Sequence, residues 1–244
     1  MTHAQFLFFD SFRNDFMQQI NLWNSMVPDL QKLQKEAADA AKTPEYNLQT
    51  PIVYNRALDS ITEEDEIKLI VIGDNPGKDE QLLKNNRYLV GQAGKLGERF
   101  FRLNPELETD FRKNVIILNK TPVHSAKTSQ LKHMIKNGGK SVQNLIDDTQ
   151  VWMAEKTCKL AKELGAEIWL VGYSELKERG IFKLYREVMR KNAPFEKLFV
   201  FQHFSMNRFT VDLADFRKHH SQLSLKNALC ALGTLHKNEI FTQE

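Results

Sequence analysis

Cysteine is scarce in this chain of 244 residues: Cys158 and Cys230 form no C-x-x-C pair, so no disulfide framework, four-cysteine zinc site or iron–sulfur cluster can be built from them. Glycine (11) and proline (7) are too few for a collagen-like or low-complexity polymer. No apolar run approaches the roughly 20 residues that cross a bilayer; the longest are short stretches such as 115–118 and 168–171. The opening Met1-Thr2-His3-Ala4-Gln5-Phe6 carries neither a basic n-region nor an apolar h-region, so the expected setting is the cytoplasm, with no membrane partner. An excess of one charge is also missing. Lys plus Arg number 34 against 31 Asp plus Glu, and a net +3 diagnoses no polyanionic partner until the distribution is known.

Apolar residues make up 41% of the chain, enough for a sizeable core in one large domain or two small ones. Phe6, Phe9, Phe12, Phe16, Ile20, Trp23, Val27, Leu30 and Leu33 recur at spacings of three and four, which predicts a helical lead-in over 5–40 interrupted at Pro28. Residues 43–66, with Pro44, Pro51 and the acids Glu63, Glu64, Asp65 and Glu66, read as a connecting segment. The expected organisation is a helical N-terminal extension, residues 1–60, packed on an α/β domain of residues 61–244.

Beyond it, short apolar runs without alternation stand at 68–72, 114–118, 167–171 and 197–201, as expected of parallel strands covered on both faces. The intervals leave room for crossover helices, predicted at 92–102, 148–164 and 181–190, with a last helix over about 212–236. Open parallel sheets bind ligands beyond the carboxyl ends of their strands. The residues that follow the runs are therefore the candidates: Gly73-Asp74-Asn75-Pro76-Gly77 after the first, with Tyr88-Leu89-Val90-Gly91-Gln92-Ala93-Gly94 downstream; Asn119-Lys120-Thr121-Pro122-Val123-His124 after the second; His203-Phe204-Ser205-Met206-Asn207-Arg208 after the fourth.

Taken together and in this order, these motifs resemble the uracil-DNA glycosylase superfamily over about residues 68–236. Its members pair a Gly-x-Asn-Pro-Gly or Gly-x-Asp-Pro first motif with a late His-Pro-Ser motif. The resemblance implies a three-layer α/β/α fold around a four-stranded parallel sheet of order 2-1-3-4. The implied activity is hydrolysis of the N-glycosidic bond of uracil, or a related damaged pyrimidine, flipped out of DNA, without lyase chemistry. Asn75 then positions the attacking water, with Asp74 as the alternative base, and His203 donates to O2 of the departing base. Gly73, Gly77, Tyr88, Leu89 and Asn119 surround the base, and Asn119 reads its edge. Ser205, Gly91, Lys120 and Arg208 contact the DNA, and Met206 is the apolar wedge. DNA is the implied partner, no metal, iron–sulfur cluster or other cofactor is expected, and the N-terminal helices are a possible contact for a repair protein.

Two positions depart from the pattern: Phe204 stands where the late motif has proline, and Leu89 where the downstream motif has the phenylalanine that stacks on the base. They keep a second reading open, a catalytically weak or inactive DNA-binding protein on the same fold. Tyr88 or Phe101 could supply the missing stacking face. A small-molecule hydrolase on a similar sheet is a third reading. Charge distribution favours the polyanion binders. Residues 111–140 hold seven cations, Arg112, Lys113, Lys120, Lys127, Lys132, Lys136 and Lys140, and no acid, which predicts a phosphate track beside the second strand.

Overall fold

A computed structural model describes residues 1–242. Four five- or four-residue strands, β1 (Leu69–Gly73), β2 (Val115–Asn119), β3 (Glu167–Val171) and β4 (Leu198–Phe201), form one all-parallel sheet of order β2-β1-β3-β4. The register is continuous, with Leu69 opposite both Val115 and Glu167 and Ile168 opposite Leu198. The strands are buried almost throughout, the reason for their unbroken Val/Ile/Leu composition.

Among the described residues seven α-helices accompany the sheet: α1 (His3–Met26), α2 (Leu30–Ala40), α3 (Gln92–Leu103), α4 (Gln130–Leu164), α5 (Lys183–Asn192), α6 (Arg208–His219) and α7 (Leu225–Phe241). On one side of the sheet Trp169 stacks with Phe101 of α3 and Phe209 of α6, while α7 lies along β4. On the other, α4 packs with α5, and α1 and α2 lie outside α4. Trp152 of α4 stacks with Phe12 and Phe16 and meets Trp23 edge-on, and Trp23 Nε1 donates to Asp148 at 2.6 Å. No helix among the described residues is long and apolar enough to cross a membrane.

Three sequence expectations are corrected. The segment 43–66 is packed, because Ile52, Val53, Asn55 and Leu58 are buried, Ile52 bridges Val123, and Asn55 donates to the Ile117 carbonyl. The last helix is two, α6 and α7, separated at residues 220–224, where Ser224 caps the second by accepting from the Asn227 N–H. The helix expected over 148–164 starts at Gln130 and bends at Gly139.

Candidate active site

The strand order reverses between β1 and β3, where an open α/β sheet leaves a crevice. Lys120 fills it. The β1–β2 ladder runs one step past the strands, Lys120 N–H to Gly73 O (3.0 Å) and Thr121 N–H to Asp74 O (3.3 Å). The Lys120 side chain thus turns beneath the strand ends, 0% exposed. Its ammonium donates to Asp74 Oδ1 at 2.5 Å and Val171 O at 2.7 Å, with Gly73 O and Gly172 O each at 3.4 Å and the Phe182 ring centroid at 5.4 Å. Burial lowers its pKa and the Asp74 carboxylate opposes that shift. An internal cation so enclosed cannot grip a phosphate, so the DNA contact expected of Lys120 is corrected: it is the electrostatic anchor of Asp74.

Asn75 is locked beside it. Its Nδ2 donates to Ser125 O and Ser125 Oγ, both at 3.0 Å, and to Pro76 O at 3.2 Å; its Oδ1 accepts from Thr128 Oγ1 at 3.0 Å. The Ser125 and Pro76 carbonyls only accept, so the end of the amide that faces them is the NH2. Thr128 Oγ1 is also 3.4 Å from Asp74 Oδ2, so the two first-motif oxygens converge on one hydroxyl. The loop carrying them is tied down by Glu80, which accepts the Gly77 N–H at 3.0 Å, and by His124, whose Nδ1 bonds the Pro76 carbonyl at 2.8 Å. A carbonyl only accepts, so His124 carries its proton on Nδ1, and Nε2 accepts from Tyr46 Oη at 2.9 Å. Burial pushes Glu80 up to about 7 and His124 down to about 4.

Asn119 ends β2 opposite Gly73. A Cβ on Gly73 would lie 2.6 Å from Asn119 Oδ1, so glycine there is what lets the amide sit over β1. Asn119 is 1% exposed and its Nδ2 has no hydrogen-bond partner among the described residues, an uncompensated donor at the strand end.

His203, two residues past β4, is half-buried. Its Nδ1 accepts the Ser205 N–H at 3.1 Å and lies 2.8 Å from Ser205 Oγ. A nitrogen that accepts from a backbone N–H bears no proton, so the neutral ring carries it on Nε2, which no described residue engages. Burial lowers its pKa; Asp74 opposes this and Lys120 adds to it. The following turn holds Met206 (φ 54°) and Asn207 (φ 56°) in the left-handed region. Met206 is 75% exposed, more than any other large apolar side chain described, and Arg208 opens α6 on the surface.

The structure brings Asp74, Asn75 and Asn119 to one edge, with His203 close enough to feel the charges of Asp74 and Lys120. Gly91 is the N-cap residue of α3. Tyr88 and Phe101 are corrected as stacking faces. Tyr88 is wholly buried, its hydroxyl donating to Val53 O at 2.6 Å, and Phe101 stacks on Phe111 and Trp169 in the core. Leu89 is also buried, at φ 51°, and Phe204 packs on Phe111 and Phe209. The phosphate track over 111–140 is thinned: besides Lys120, Arg112 pairs with Glu98 and Lys132 with Glu175, leaving Lys113, Lys127, Lys136 and Lys140 exposed. The cavities walled by Trp169, Ile116, Tyr46 and Arg99 do not include Asn75, Asn119 or His203 in their linings. Thr128, Ser125 and Glu80 were missed from sequence, since a lone hydroxyl or carboxylate outside a motif gives no signal until the fold places it. No group of three or more His, Cys, Asp or Glu among the described residues could hold a metal ion.

These features define a parallel α/β protein with a polar site at the strands' carboxyl edge. No protein-family model matches the chain, and a search of curated proteins finds no match.

Proposed function

We propose that the chain is a DNA glycosylase that hydrolyses the N-glycosidic bond of uracil, or a related damaged pyrimidine, swung out of the helix. The observation that carries this reading is the state of His203: a neutral imidazole, its Nδ1 occupied by a backbone N–H and its Nε2–H free, within the field of the Asp74 carboxylate. As the C1′–N1 bond breaks, its electron pair moves into the base and charge gathers on O2. An N–H donor aimed at that oxygen gains strength as the charge grows. A water held by Asn75 Oδ1 and Asp74 Oδ2 adds to C1′ and passes its proton to the Asp74 carboxylate, which Lys120 keeps in place. The unpartnered Asn119 Nδ2 fits a pyrimidine O4, whereas the amino group of cytosine would set donor against donor. Met206 on its exposed turn is the wedge that fills the vacated stack, and Arg208 meets the phosphates.

One observation favours the second reading, a lesion-binding protein without turnover: the Lys120 side chain occupies the switch point where a base would otherwise descend. Incubation with oligonucleotides each carrying one altered base, followed by alkali, separates the two. Scission at uracil, lowered roughly 10²–10³-fold by His203→Ala with DNA affinity retained, is the expected result. Binding without scission on every substrate supports the second reading, and neither binding nor scission removes both. For an active protein, single-turnover rate should be level through neutral pH and fall once the solution is more acid than the ordinary histidine value of about 6.5, because protonating Nδ1 breaks its bond with the Ser205 N–H; an acid limb unchanged in Ser205→Pro, which lacks that N–H, would contradict the assignment.

A further inference from the structure

Besides the four exposed lysines left on the 111–140 stretch, α3 carries a row of unpaired cations. Lys95, Arg99 and Arg102 of α3 recur at spacings of four and three, on the face opposite the buried Gly94, Gly97, Phe100 and Phe101. All three are exposed, and none forms an ion pair or a side-chain hydrogen bond among the described residues. The one acid between them, Glu98, is drawn to Arg112 at 3.1 Å. The three cations line a shallow groove of about 350 Å³. A row of like charges one helical turn apart costs a few tenths of a kcal/mol per pair to the isolated helix, and Glu98 is the one acid that shares the groove with them.

Position gives the row its direction. Helix α3 begins at Gly91, at the downstream motif, and its buried side receives the turn after β4: the ring of Phe204 would lie 3.3 Å from a Cβ on Gly97. The turn that carries Met206 thus packs beneath α3, and Lys95, Arg99 and Arg102 stand on the face turned away from it. Its rise of about 1.5 Å per residue places Lys95 and Arg102 roughly 10 Å apart along the axis.

We infer that Lys95, Arg99 and Arg102 form a duplex-DNA contact, a phosphate track along the exposed face of α3. The inference rests on the glycosylase reading for its partner, though not for any chemical step. A polyanion seated there would release about one counterion per cation engaged, so the salt dependence of binding counts the contacts.

The test is fluorescence anisotropy of an undamaged duplex with the full chain across a salt series, comparing wild type, K95A/R99A/R102A and K32A/K35A/K42A. The last removes three exposed charges from α2 and the segment just after it, in the opposite layer. Circular dichroism checks that both variants are folded. The expected result is that the α3 variant loses about 2.7 from the slope of log affinity against log salt, at about 0.9 per phosphate contact, and the α2 variant loses less than one contact's worth. Equal slopes in wild type and the α3 variant, or equal losses in both variants, overturn the α3 track while leaving the glycosylase reading standing. Absence of salt-dependent DNA binding by wild type overturns both.

Discussion

Lys120, Glu80 and His124 are the residues on which the site's stability turns, each a buried ionisable group with defined partners. Removing one member of a buried pair strands the other charge, so Lys120→Met should cost roughly 3–5 kcal/mol. Asp74→Asn with Lys120→Met should recover part of that loss, and urea unfolding measures both. Glu80 and His124 make stability depend on pH with opposite signs. Glu80 has a folded pKa of about 7 against 4.5 unfolded, so its contribution is fully present below pH 4.5 and is lost as pH rises through 7. His124, at about 4 against 6.5, contributes fully above pH 6.5 and loses that contribution as pH falls through 4. Between pH 4.5 and 6.5 the two nearly cancel. Glu80→Gln removes one side of the balance and should gain roughly 2 kcal/mol on wild type between pH 5.5 and 8; a pH-independent difference in urea midpoints would show that Glu80 does not titrate in this window. Asn75 and His203 were legible as candidates because motifs are local. Their hydrogen bonds were not, since Ser125 and Thr128 lie fifty and more residues from Asn75 in sequence.

At the level of elements, α4 illustrates where local signals mislead. The sequence predicts a helix over 148–164; the structure starts it at Gln130 and carries it through a bend at Gly139, whose φ of 63° and ψ of −148° belong to a region open to little but glycine. Packing of α2 on α4 supports the segment before the bend, and tertiary contact outweighs a penalty of about 1 kcal/mol per glycine. Gly139→Ala should therefore cost about 1–3 kcal/mol in urea unfolding, although the space around the position is open. A neutral result would mean the bend can straighten. The division of the final helix into α6 and α7 had the same origin: residues 220–224 contain neither proline nor glycine, and the Ser224 cap is a common residue until its partner is seen.

For the whole molecule, the N-terminal helices are part of the packed structure. Their apolar stripe closes over Trp152, and the Lys156 ammonium meets Asp15 at 2.5 Å. A chain lacking residues 1–42 would bare the Trp152 face of α4, so it should lose its cooperative thermal transition and show red-shifted tryptophan emission. A transition within a few degrees of wild type would make α1 and α2 an appendage. A repair protein approaching these helices would meet their outer face, where Leu7, Leu22 and Met26 are exposed.

The sequence by itself determined the four strands, the helical lead-in and the positions of the polar motifs, because hydrophobic periodicity and strand-end chemistry are written in neighbouring residues. Only the tertiary structure decided that Lys120 points inward and Lys95 outward, that Tyr88 belongs to the core, that the Asn119 amide is left without a partner, and which nitrogen of His203 holds the proton. Each of these depends on depth and on atoms far away along the chain, and a charged or aromatic side chain has the same letter whether its neighbours are water or protein.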